Sequence, residues 1–275
     1  KTKLIHKIYT NKAGGITEKR LEIIKKISEK LRPQKLIIPV PQISLNNKYV
    51  NECEQIPVVT FSYVEGEICE KNPSDIKLAF ETLTKIHKTL RYEKLEKQDF
   101  FSSPYTELFH KLKEQHSEYN GIYHKKISKI LSLSEKFIEK NEKLINDASK
   151  GIIHGDFAIK HILKNKNDTG IIDWDYFNKG LLIHDLSRLF YDSLKRNTVP
   201  SSEIEKLMRE YNNQINLNES DINLFPHMFE YRMLYRSLNI SSKLINNPSQ
   251  SLENFLDKTL YYLLEEQHEI NNFKF

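Results

Sequence analysis

An α+β fold of two lobes, a small β-rich N-terminal lobe and a large helical C-terminal lobe, is predicted for this 275-residue chain on three observations. The first third holds short runs of branched and aromatic residues bounded by prolines and glycines. From Pro73 onwards apolar residues recur at three- and four-residue spacing, the period of a helix buried on one face. One segment, 151–175, interrupts that pattern with two short strand-like runs and a dense set of histidines and aspartates.

Taken in order, "KLIHKIY" (3–9) predicts a short strand. "GITEKRLEIIKKISEKL" (15–31) has helical apolar spacing, and Pro33 follows as a breaker. "KLIIPVPQIS" (35–44) and "IPVVTFSYV" (56–64) predict strands, the first confined to an edge or cut short by Pro39 and Pro41. "VEGE" (64–67) marks a linker, dividing the chain into lobes 1–66 and 67–275. Asn72 before Pro73, with Asp75 in the first turn, starts a helix that carries Ile76, Phe80, Leu83, Ile86 and Leu90 on one face. Further helices are expected over 104–119, 123–147, 201–214, 221–245 and 250–270.

Composition narrows the function classes. With 39% hydrophobic and 29% charged residues the chain has the balance of a folded globular protein. No apolar run approaches the ~20 residues of a membrane-spanning helix, and the N-terminus lacks the apolar core of a signal peptide. Cys53 and Cys69 make neither a disulfide framework nor a metal-ligand spacing, which points to a reducing cytoplasm. The net charge of +5 is spread as interleaved Lys and Glu on helices, the pattern of solvated faces rather than of a nucleic-acid surface.

The chemistry concentrates in "HGDFAIKH" (154–161) and "IIDWD" (171–175). Between them "KNKNDTG" supplies Asn167, Asp168 and Gly170 as turn formers, so the flanking apolar runs predict a hairpin. A hairpin brings residues before its first strand close to those after its second. Asp156 and His161 therefore converge with Asp173. One carboxylate can take a proton from a hydroxyl while the other, with an imidazole, holds a divalent cation, as phosphoryl transfer requires. An alternative reading takes His154, Asp156, His161, His184 and Asp185 as ligands of a metal-dependent phosphohydrolase.

These paired motifs resemble the catalytic and metal-binding loops of the aminoglycoside phosphotransferase and choline kinase family, and the resemblance implies a protein-kinase-like fold. "HKIY" (6–9) resembles the strand bearing the nucleotide-binding lysine, and "RLEII" (20–24) the helix bearing its glutamate partner. "VVTFSYVEGE" (58–67) looks like the last small-lobe strand with the hinge, "LTKIHKTL" (83–90) like a large-lobe helix, and "LLIHDLSRLF" (181–190) like the Asp-Leu segment after the metal loop. The resemblance implies Asp156 as catalytic base, Asp173 as principal magnesium ligand, His154 as a brace of the catalytic loop and Asp185 as holder of its backbone. His161 stands where the family usually has asparagine, the second metal ligand. Lys7 and Glu22 are implied as the nucleotide pair, with Lys3 and Glu18 as the alternative register, and Ser62, Tyr63 and Val64 as the hinge contacts. The implied activity is transfer of the γ-phosphate of ATP or GTP to a hydroxyl of a small molecule, with Mg²⁺ required and Mn²⁺ tolerated, by a monomer or homodimer without nucleic-acid or membrane partners. A non-catalytic, nucleotide-binding pseudokinase is the reading from another class. The family's glycine-rich hairpin precedes the lysine strand, and Gly14 and Gly15 follow it here. With six residues before Lys7 and no initial Met, the chain is expected to begin downstream of its natural start.

Overall fold

The structure, a computed structural model, describes residues 3–9, 16–93, 105–194 and 199–265, the side chains of 262 and 265 excepted. Gly14, Gly15 and the tail of the last expected helix, 266–270, lie outside the described residues. In chain order the elements are β1 (Leu4–Ile8), α1 (Glu18–Leu31), β2 (Leu36–Ile37), β3 (Val50–Cys53), β4 (Ile56–Ser62), β5 (Glu67–Ile68), α2 (Pro73–Leu90), α3 (Tyr105–Ser117) and α4 (His124–Asp147). There follow β6 (Lys150–Ile153), β7 (Ile162–Lys164), β8 (Thr169–Ile171), β9 (Asn178–Leu181), α5 (Leu182–Leu194), α6 (Ser201–Ile215), α7 (Glu219–Leu224), α8 (Met228–Asn246) and α9 (Gln250–Glu265). The chain divides into two compact units, Lys1–Ser102 with Lys150–Asn216, and Ser103–Ser149 with Leu217–Phe275. The expected lobe boundary near residue 66 falls inside the first of these.

Two antiparallel pairings build the first sheet, β1-β4-β3, with Lys7 opposite Val59. Strand β3 was not expected, because "VNEC" has little apolar content. It is made by a two-residue turn, Glu54 and Gln55, both at positive φ (50° and 65°), the geometry that matches strand twist in a hairpin. That turn carries no glycine or asparagine to announce it. The second sheet runs β2-β8-β7-β5, with β2 parallel to β8 and the rest antiparallel. The expected strand over 35–44 is strand for only Leu36–Ile37. Pro39 and Pro41 have no N–H to give a ladder, and the chain turns aside at Ile38 to run beside β4, where Ser62 N donates to Val40 O and Gln42 N to Thr60 O.

Helix α1 starts at Thr17, whose side chain accepts from Arg20 N, and buries Leu21, Ile23, Ile24, Ile27 and Leu31. In the same unit α2 seats Ile76, Ala79, Leu83, Ile86 and Leu90 without exposure, each large one contributing about 1.5–3 kcal/mol of transfer free energy. The middle of this unit is α5, apolar nearly all round, with Leu182, Ile183, Leu186, Leu189 and Phe190 wholly buried. The other unit packs α3, α4, α8 and α9 around Leu112, Ile127, Ile130, Leu234, Leu238, Leu244 and Leu256. Its expected single helix over 221–245 is two. Pro226 lacks the N–H a helix interior needs, and Phe225–His227 form a 3₁₀ turn between α7 and α8.

Candidate functional site

The hairpin of β7 and β8 forms about the expected turn, with Asn165 N donating to Asp168 O and Ile162 paired with Ile171. One more bond, Ile172 N to His161 O at 2.9 Å, carries the pairing past the strands, so His161 and Asp173 leave the hairpin side by side. Asp173 sits in the left-handed region (φ 66°), which a short polar side chain tolerates. The chain then turns through Trp174–Tyr176, where buried Trp174 donates Nε1–H to Ile171 O and packs its ring against His154 at 4.8 Å. Asp156, His161 and Asp173 each present one potential ligand atom, and these atoms lie within 4.8 Å of one another.

Imidazole His161 is oriented for such a role. Its Nδ1 lies 2.9 Å from the backbone oxygen of Asp156, an acceptor only, so Nδ1 carries the proton. In the neutral ring Nε2 then keeps its lone pair, 3.5 Å from Asp173 Oδ2. A ring fixed through one nitrogen and bare at the other is the arrangement of metal-ligating histidines.

The loop 154–161 is held by one face of α5. Asp185, fully buried, accepts from His154 N at 2.7 Å with Oδ2 and from Gly155 N at 3.0 Å with Oδ1. Arg188 Nε donates to Asp156 Oδ1 at 2.9 Å, and Asp192 Oδ2 accepts from Ile159 N at 3.1 Å while its Oδ1 takes Lys71. Positions 185, 188 and 192 share one helical face. Gly155 (φ 85°) could not be another residue, since a Cβ there would lie 2.1 Å from Tyr176 O. Behind Asp185, the His87 ring on α2 comes to 3.5 Å from Oδ2, too long for a formed hydrogen bond, and its Nδ1 meets the Tyr211 hydroxyl at 2.6 Å.

Burial raises the pKa of each loop carboxyl, and the partners reverse it. Arg188 chiefly outweighs burial at Asp156, holding its carboxyl below the usual range. At Asp185 the neighbouring histidines do so, His87 first, and at Asp192 the Lys71 ammonium. His154 moves the other way, down, because burial penalises its cation. Its neutral ring donates Nε2–H to Ile172 O and accepts from Asp156 N at Nδ1, bracing the loop against the hairpin.

In the β1-β4-β3 sheet, Lys7 reaches Asp173 Oδ1 at 3.1 Å and Asp175 Oδ2 at 2.5 Å. Burial disfavours its charge, but the two carboxylates outweigh that and raise its pKa. Tyr9 donates to the Asp175 carboxylate and Arg20 to its backbone oxygen. Glu22 is not brought to Lys7; it is exposed on α1. Glu18 instead accepts from the backbone of Tyr49 and Val50, and Lys3 pairs with Glu65 at 3.5 Å. Ser62 ends β4, its Oγ accepting from Val40 N; Tyr63 is 42% exposed; Val64 is buried against Gly170. The phosphohydrolase ligand set does not assemble: both His154 nitrogens and both Asp185 oxygens are taken by the loop and hairpin. Sequence reading missed Arg188, Asp192 and Lys71. The signal for the first two was present as the spacing from Asp185 along "DLSRLFYD".

Residues 5–215 match the phosphotransferase enzyme family, APH. No curated protein matches the chain. Solved structures with the same fold include the amicoumacin kinase hAmiN in complex with AMP-PNP, Ca²⁺ and Ami (15% identity, TM-score 0.69, 99% of this chain and 84% of that one). The Plasmodium vivax ethanolamine kinase aligns at 15% identity and TM-score 0.66 over 96% of this chain and 76% of its own. The choline kinase LicA from Streptococcus pneumoniae aligns at 17% and 0.59 over 95% and 86%. The α+β, protein-kinase-like fold expected from the motifs is the fold of these proteins.

Proposed function

Because the chain belongs to the phosphotransferase enzyme family, we propose that it is a small-molecule kinase that transfers the γ-phosphate of ATP or GTP to a hydroxyl of a small metabolite or aminoglycoside. The observation that carries this reading is the convergence of Asp156, His161 and Asp173 on one point, with His161 presenting a bare Nε2. Two similar folds act on amino alcohols by name and a third was solved with AMP-PNP, which agrees with a nucleotide donor and a small acceptor.

The donor set suits a divalent cation. Carboxylate oxygen favours Mg²⁺, and the imidazole nitrogen extends tolerance to Mn²⁺. Asp173 and His161 would hold it, and its charge would offset the phosphate oxygens during transfer. Asp156 does the protein's part at the acceptor: its ionised carboxylate accepts the hydroxyl proton as that oxygen bonds to the γ-phosphorus and the bond to the β-phosphate oxygen breaks, releasing ADP or GDP. With the pKa of Asp156 held low, the carboxylate works chiefly by orienting the hydroxyl and taking its proton late, as a loose phosphoryl-transfer transition state asks. Lys7, beside Asp173, is the cation placed for the nucleotide phosphates.

The test is ADP release from MgATP, and GDP release from MgGTP, across a panel of choline, ethanolamine, sugars and aminoglycosides. Acceptor-dependent, metal-dependent release is expected for at least one member. Nucleotide binding without turnover on any of them would leave a binding module instead. For His161, alanine should raise the Mg²⁺ concentration for half-maximal rate by roughly tenfold or more, since losing a ligand exceeds the usual cost of losing a ligand's own support. Asparagine, which supplies an amide oxygen in place of the imidazole nitrogen, should restore most of it. Metal titrations of initial rate for the three proteins decide this, and an unchanged titration in the alanine variant reduces His161 to packing.

A further inference from the structure

We infer that Arg188 is a positioning residue for the transfer, setting from α5 which oxygen of Asp156 faces the acceptor; this rests on the reading of Asp156 as base. Of the three α5 side chains that grip the loop, Asp185 and Asp192 hold backbone N–H groups. Arg188 alone meets the loop's reactive side chain. It does so through Nε, 2.9 Å from Oδ1, not through the paired Nη groups of its fork. A fork-on approach would engage both carboxylate oxygens. The side-on bond restrains one and leaves Oδ2 accepting nothing from the described residues, which is the division a general base needs.

Electrostatics support the same assignment. Asp156, Asp173 and Asp175 lie close together, and Lys7 is paired with the latter two. Arg188 is the cation that faces Asp156, and the pair is sheltered, with side chains 19% and 32% exposed. Lysine cannot reproduce a planar N–H held side-on, so the position demands the guanidinium and not merely its charge.

The test is steady-state ADP release from MgATP, on water and on any acceptor the panel identifies, for wild type, Arg188→Ala, Asp156→Asn and the double variant. Arg188→Ala should lower kcat about 10- to 100-fold with KM for ATP within about twofold, yet cost less than about threefold in the Asp156→Asn background. Equal losses in both backgrounds would make Arg188 structural support only and overturn the inference. An active Arg188→Ala beside an inactive Asp156→Asn would remove Arg188 alone, whereas a fully active Asp156→Asn would remove the base reading itself. Should the alanine variant not fold, Arg188→Lys replaces it, with a kcat loss of about 3- to 10-fold at unchanged thermal midpoint expected. Where turnover is too slow to compare, the NMR exchange rate of the Arg188 Nε–H decides. It should be slow in the wild type and fast in Asp156→Ala, and equal rates overturn the inference.

Discussion

Asp156→Asn is expected to lower kcat by about 10²–10⁴, the usual worth of a positioned general base, while KM for the nucleotide stays within about twofold. The substitution is a clean one here. Asparagine keeps an oxygen to accept from Arg188 Nε, so the loop should hold its shape while the second oxygen becomes an amide that cannot take a proton. Rates of ADP release measure the loss, and differential scanning should show the asparagine variant still folded, its midpoint only slightly lower for want of the ion pair with Arg188. An asparagine variant with full activity would remove Asp156 from the proton path.

Asp185→Ala should cost about 2–5 kcal/mol of stability and take most of the activity with it. The carboxylate is fully buried and satisfies two backbone N–H groups of the loop, which alanine would leave without their acceptor. The effect carries a pH signature. Burial pushes the Asp185 pKa up, but the nearby histidines, His87 first, bring it below the ordinary value of 3.8. A carboxyl with a depressed folded pKa adds stability above its unfolded pKa and loses it as pH falls through the folded one. The gap between wild type and Asp185→Ala should therefore be full at neutral pH and shrink only below about pH 4, as urea midpoints over that range would show. A gap independent of pH would mean that the side chain acts through packing alone.

What the sequence made legible follows the strength of each local signal. The β7–β8 hairpin and the meeting of Asp156, His161 and Asp173 could be read because turn formers and apolar runs fix a register without distant help. Helix α2 declared itself through its cap at Asn72, and both α1 and α2 through one-sided apolar spacing. Strand β3 did not, being polar and closed by Glu54–Gln55 in a conformation those residues rarely adopt. The pairing of Lys7 was also beyond reach. Its strand and its charge were visible, but nothing in "RLEII" tells that Glu22 points to solvent while Asp175, far along the chain, takes the ammonium. Arg188 lay hidden in plain helical spacing, since a charge on an apolar helix reads as an exposed position until the loop it meets is known.

The grip of α5 on the loop also makes helix length matter. Asp185 and Asp192 are seven residues, about 10.5 Å of rise, apart on one face, and the loop between His154 and Ile159 is stretched over that span. Inserting or deleting a single residue between them would swing the later anchor by about 100° around the axis and shift it by about 1.5 Å, taking the Asp192 carboxylate away from Ile159 N and from Lys71. Side-chain changes on the far side of α5 would leave the register alone. Apolar substitutions of similar volume in this stretch keep the register that insertion or deletion would break, so the Asp156 carboxylate inherits its aim from the pitch of a buried helix.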